Sequence, residues 1–284
     1  MKIRKLLHDL YVVFLLLITA GCVNQDKTNQ IENRLKVAQI LAKGAQLDQQ
    51  ILKTQDFTFL SFASKQKPSE GVTIYIEGDG HAWDNTHTPS QDPTPKKPLS
   101  LELAALDTSF GVAYLARACQ YRQITHSDGC TPEIWTSARF SPKMVRNLNE
   151  AIDQLKQRYQ AKKIILIGYS GGATLALLCA AGRQDVRQVI TVAGNLDTAA
   201  WTEYHKLSPL IGSLNPADFS QALQSISQTH FVGQNDLVIP LSVTQSYLGH
   251  FESTPKNQTI VLEGYTHECC WSKSWKTLIN EYRK

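Results

Sequence analysis

The sequence predicts an α/β fold, a mainly parallel sheet flanked by helices with a small cap, and three observations carry that expectation. Apolar strand-like runs alternate with helical patterns over most of the chain, as a parallel sheet requires because each strand returns through a crossover. One β-branched run, KKIILIG, passes through YSGG directly into the helix former ATLALLCAAG, giving strand, sharp turn and helix in succession. Trp271, Trp275, Leu278, Ile279 and Tyr282 then recur at helical spacing and close the chain with a helix.

The chain divides into three parts. Residues 1–22 open with the basic stretch MKIRK and continue into a short apolar run ending in Ala20, Gly21 and Cys22. That run is too short to span a bilayer comfortably and reads as an export signal. Its end resembles the bacterial lipobox, in which the cysteine thiol is acylated and becomes the mature N-terminus. The usual Leu is displaced, because Thr19 stands three before the cysteine and Ile18 one further back. Residues 23–56 supply a polar tether and a helix whose apolar positions are Ile31, Leu35, Ala38, Leu41 and Ala42. Residues 57–284 are the expected catalytic domain.

Within that domain the expected strands are Val72–Ile76, Val112–Leu115, Lys163–Ile167, Val189–Val192 and Thr259–Leu262, with a weaker Thr229–Val232. A helix carrying Val145, Leu148, Ile152, Leu155 and Tyr159 separates the second from the third, with Ser141 as its N-cap and Pro142 in its first turn. After Val192 there is room for only a modest cap, which favours small or medium substrates.

The 284 residues are 42% hydrophobic, enough for one large core. Lys and Arg number 29 against 25 Asp and Glu, with no dense basic block interleaved with aromatics, so nucleic acid is not an expected partner. Export would place the cysteines where they can pair. Cys119 and Cys130 bracket a polar stretch that a disulfide would tie down, whereas Cys179 lies in the apolar run LALLCAA and reads as a small buried side chain. Adjacent Cys269 and Cys270 cannot easily reach one tetrahedral metal ion, so no metal and no cofactor is expected. A vicinal disulfide and a bond from one of them to Cys179 both remain open.

The chemistry lies in Gly168-Tyr169-Ser170-Gly171-Gly172, a Gly-x-Ser-x-Gly turn between strand and helix. A serine on such a turn projects its hydroxyl above the sheet edge, and Gly168 and Gly172 remove side chains that would strike the crossing backbone. Serine is a poor nucleophile by itself and needs a base and a group to orient that base. HFVGQNDLVIP offers Asp236, with Asp197 in VAGNLD as the rival acid; VLEGYTHECCW offers His267 after the last strand. An oxyanion hole would use the Gly171 amide; Glu77-Gly78-Asp79-Gly80 resembles the oxyanion turn of α/β-hydrolases, which implies the Asp79 amide as the second donor. Trp83, Trp135 and Phe140, together with Trp201, are candidates for lining an apolar substrate pocket, with core or cap packing the equal alternative for each.

This constellation resembles the α/β-hydrolase superfamily over residues 57–284. YIEGDGHAW, YLARACQY, CTPEIWTSARFSP, GYSGG, TVAGNLDTAAW, GSLNPAD and HECCW further resemble a family of exported α/β-hydrolases of proteobacteria. The resemblance implies the fold and catalytic apparatus of a serine hydrolase and supplies no substrate; a small-molecule ester or thioester is favoured because an activated ester needs no special leaving-group protonation. The protein would be joined to a membrane through its lipid and would face the periplasm of the bacterial cell envelope. A peptidase or acyltransferase of the same fold is an alternative, as is an envelope lipoprotein that binds without turnover; loss of a triad member would mark the last.

Overall fold

The computed structural model describes residues 29–65, 70–109, 111–124, 129–252 and 257–283. Cys22 and the segment expected to direct export lie outside them. One eight-stranded sheet organises the chain, in the order β1-β2-β4-β3-β5-β6-β7-β8. The strands are β1 (Asp48–Lys53), β2 (Thr58–Ala63), β3 (Gly71–Ile76), β4 (Val112–Leu115), β5 (Lys163–Tyr169), β6 (Val186–Val192), β7 (Ser227–Gly233) and β8 (Asn257–Leu262). β2 is antiparallel to both β1 and β4, and all pairs from β4 to β8 are parallel.

The sheet therefore begins ahead of the expected domain boundary at residue 57, because β1 lies in the segment expected to be tether and helix. Residues 29–44 form the expected helix, α1, and its Ala38 and Ala42 are buried in the same core as the sheet. This segment is part of the folded body rather than an appendage to it.

Parallel strands need helical crossovers, and those crossovers cover the two faces. One face packs α4 (Pro142–Arg158) and α5 (Gly171–Ala181) over β3 and β5, in a core that includes Leu148, Ile152, Leu155, Leu175 and Leu178. Ser141 caps α4, its side chain accepting from the Met144 amide at 3.3 Å, with Pro142 at the first helical position. The other face holds α1, α2 (Leu99–Leu106) and α9 (Trp271–Tyr282), with Tyr75, Phe231, Trp271 and Trp275 between helices and sheet. The remaining helices, α3 (Pro132–Trp135), α6 (Thr198–Tyr204), α7 (Ser220–Leu223) and α8 (Leu241–Gly249), are short.

The consequence for function is positional. β3, β4, β5, β7 and β8 all point the same way, so the loops leaving their C-terminal ends meet along one edge of the sheet. Those loops carry Asp79, Arg117, Ser170, Asp236 and His267. Among the described residues, no helix is long and apolar enough to cross a membrane.

Candidate active site

Ser170 joins β5 to α5 with φ 52° and ψ −122°, a backbone conformation that L-residues adopt only where their surroundings enforce it. Close packing enforces it here. A Cβ added at Gly168 would lie 2.4 Å from the Ala173 backbone, and one at Gly172 would lie 2.3 Å from the Ile76 carbonyl oxygen. The Ser170 amide donates to the Val192 carbonyl at 3.0 Å, and its carbonyl accepts from the Asn195 amide at 3.2 Å, which ties the turn to β6 and the segment after it.

The structure brings three of the expected residues into one hydrogen-bonded line. His267 Nε2 is 3.1 Å from Ser170 Oγ, and His267 Nδ1 is 2.9 Å from Asp236 Oδ2. Asp236 is buried, and its other oxygen accepts from the amides of Val238 and Ile239, each at 2.8 Å. These bonds satisfy the carboxylate without a counter-charge and fix it in the orientation that meets the imidazole. The loop bearing His267 is braced from beneath. Trp271 Nε1 donates to the carbonyls of His267 and Thr266 at 3.0 and 3.2 Å, and the Asn235 amide donates to the Tyr265 carbonyl at 2.8 Å, linking the two loops. The Tyr169 ring packs against the imidazole with centroids 5.2 Å apart.

Asp197, the rival acid, is engaged elsewhere. It caps α6 through the Ala199 and Ala200 amides and also accepts from Asn215 and Ser246. Its sequence context matched a strand end, but its carboxylate serves a helix N-terminus.

Gly171 and Asp79 are immediate neighbours, since a Cβ on Gly171 would come within 2.1 Å of Asp79 Oδ1. Their two amides make no hydrogen bond among the described residues. The Asp79 carboxylate is held by two arginines that sequence reasoning passed over, Arg117 and Arg139, each donating at 2.9 Å. Arg117 stands in YLARACQY and Arg139 in CTPEIWTSARFSP, stretches whose sequence alone assigns neither guanidinium a partner.

The aromatic candidates separate. Phe140 is wholly buried and lies beneath both guanidiniums, each 5.5 Å from its ring, so it packs in the core instead of presenting a face to a ligand. Trp135 is buried too, its indole donating to the Ser90 carbonyl at 3.1 Å, and it borders a small cavity shared with Asp79 and Arg117. Trp83 is 41% exposed, and Trp201 stacks with Arg139 at 5.4 Å.

Cys119 and Cys130 are joined by a disulfide, Cys269 and Cys270 by a second, vicinal one. Cys179 is free and buried, and burial pushes its thiol up to about 12. Among the described residues, no cluster of His, Cys, Asp or Glu is arranged to hold a metal.

An eight-stranded sheet in this order, with serine, acid and histidine on the loops after β5, β7 and β8, can be set beside solved structures. An α/β serine hydrolase homologue from Coxiella burnetii matches with TM-score 0.53 and 16% identity, over 82% of this chain and 94% of that one. The fold is that of the α/β-hydrolases. An esterase from Pyrococcus furiosus matches with TM-score 0.57 and 14% identity, over 83% of this chain and 89% of that one. Est1E from Butyrivibrio proteoclasticus, solved with ferulic acid bound, matches with TM-score 0.58 and 14% identity, over 82% and 98% of the two chains. No family model matches the sequence, and no curated protein does either.

Proposed function

We propose that the chain is a serine hydrolase that cleaves a carboxylic ester or thioester through an acyl-enzyme. The observation that carries this reading is the line Asp236, His267, Ser170, with its separations of 2.9 and 3.1 Å. In the first half-reaction Ser170 Oγ attacks the acyl carbonyl carbon while its proton passes to His267 Nε2. The carbonyl π pair moves to oxygen, and the oxyanion is received by the Gly171 and Asp79 amides, each donor lowering the barrier by about 3 kcal/mol. Collapse breaks the bond to the leaving oxygen or sulfur, which takes the proton from His267. Water then gives its proton to the freed imidazole and attacks the acyl-serine, and collapse releases the carboxylic acid as Ser170 recovers its proton. Asp236 keeps the Nδ1 proton in place and balances the imidazolium while it lasts.

Reaction with a fluorophosphonate probe and hydrolysis of p-nitrophenyl esters of increasing chain length test this. Ser170→Ala is expected to abolish labelling and lower turnover by at least about 1000-fold while leaving the fold intact. Full hydrolysis by that variant would refute the mechanism.

The proposal extends to location. The basic start, the short apolar run and Ala20-Gly21-Cys22 favour acylation of Cys22 and attachment to an envelope membrane on its periplasmic side, as in exported lipoproteins of this fold. Mass spectrometry of the membrane fraction should find a mature chain beginning at lipidated Cys22; an unmodified soluble chain beginning elsewhere would overturn it.

A further inference from the structure

Asp79 presents an electrostatic problem. Its carboxylate lies against Gly171, with Oδ1 and Oδ2 at 2.1 and 2.8 Å from where a Gly171 Cβ would be, so a negative charge adjoins the place where the proposed reaction develops an oxyanion. Like charges at that range oppose each other strongly, most of all at a site shielded from water. Such a carboxylate would raise the barrier that the neighbouring amides lower.

Two arginines answer it. Arg117 Nη1 donates to Asp79 Oδ1 and Arg139 Nη1 to Asp79 Oδ2, both at 2.9 Å, with the arginine side chains only 5% and 7% exposed. They are locked to each other as well, Arg117 Nη2 donating to the Arg139 carbonyl at 2.7 Å. Phe140 lies under both guanidiniums and Trp201 beside that of Arg139, which confines their rotation. The turn itself is pinned: Gly80 has φ +66° with the Pro93 carbonyl 2.1 Å from where its Cβ would be, and Gln120 Nε2 donates to the Gly78 carbonyl at 3.2 Å. One carboxylate between two guanidiniums carries a net charge of +1, so the Asp79 charge is compensated at its own oxygens.

We propose that Arg117 and Arg139 are positioning residues of the oxyanion site. They hold the Asp79 turn beside Gly171 and cancel the Asp79 charge where the oxyanion forms. The inference rests on the serine-hydrolase reading and names the groups that make that site work.

The test compares wild type, Arg139→Gln, Asp79→Asn and the double variant on p-nitrophenyl acetate, with circular dichroism to establish that each is folded. Arg139→Gln takes the local charge from +1 to zero and frees one carboxylate oxygen from its donor, and is expected to lower kcat about 100-fold, the scale of losing an oxyanion donor, with little change in KM. Asp79→Asn keeps the backbone amide while removing the charge and should cost only a few-fold. The double variant should recover at least about tenfold over Arg139→Gln, because the charge needing compensation is gone. A purely structural arginine predicts no such rescue. An active wild type with an unimpaired Arg139→Gln, or with a double variant no better than Arg139→Gln, overturns the clamp and leaves the hydrolase reading standing. A wild type inert toward both probe and esters overturns the two together.

Discussion

Glu77 and His230 are each buried in the sheet region with a shift of opposite consequence. Glu77 follows β3, one oxygen accepting from the Gly78 amide at 2.9 Å, and burial pushes its carboxyl up from 4.5 to about 7. His230 stands in β7 with Nδ1 2.9 Å from Thr191 Oγ1, and burial pushes it down from 6.5 to about 3. Between pH 4.5 and about 7 the folded chain keeps a proton on Glu77 that the unfolded chain releases, so that contribution falls as pH rises. Between about pH 3 and 6.5 the unfolded chain takes a proton that folded His230 refuses, so that contribution rises with pH. From pH 4.5 to 6.5 the two slopes cancel. Glu77→Gln is therefore expected to unmask the histidine: across that interval its unfolding free energy should gain about 3 kcal/mol relative to wild type. Urea denaturation at a series of pH values measures this, and parallel profiles for the two proteins would refute it.

Among the connections, the one leaving β4 has the most dependent on it, because it carries Arg117, Gln120 and the Cys119–Cys130 disulfide. That bond closes a separation of 11 residues, and its removal by Cys119→Ser with Cys130→Ser is expected to lower stability by about 3 kcal/mol through the freedom restored to the unfolded chain. Thermal melts of the oxidised parent and the double variant, compared under identical conditions, would expose an unchanged midpoint if the bond contributes nothing. The loop's other role could not be read from the sequence. Arg117 and Arg139 meet Asp79 across 38 and 60 residues, and no local spacing encodes a pairing at that range. Ser170, Asp236 and His267 were legible because each sits at a strand end whose apolar run announces it. β1 was not, since DQQILK is an edge strand in which Leu52 alone is buried and neither alternation nor an apolar run marks it. α2 escaped for the opposite reason: LSLELAAL is apolar on nearly every side and lacks the polar stripe that reveals a surface helix.

At the scale of the whole molecule, the reacting groups are distributed across strands held with unequal strength. β5, which delivers Ser170, is paired on both sides and covered on both faces, while β8, which delivers His267, pairs only with β7 and has no fully buried residue. Its loop depends on a few contacts from Trp271 and Asn235. Free energies of local opening vary across a fold, and an outer strand with little buried surface opens before an interior one. On heating, hydrolysis of a chromogenic ester is therefore expected to fail at a lower temperature than far-UV circular dichroism; coincident transitions would argue against it. On that expectation the outermost seam sets the temperature at which the molecule falls silent while its interior is still intact, and cooling from that point should restore it without the chain having to fold anew.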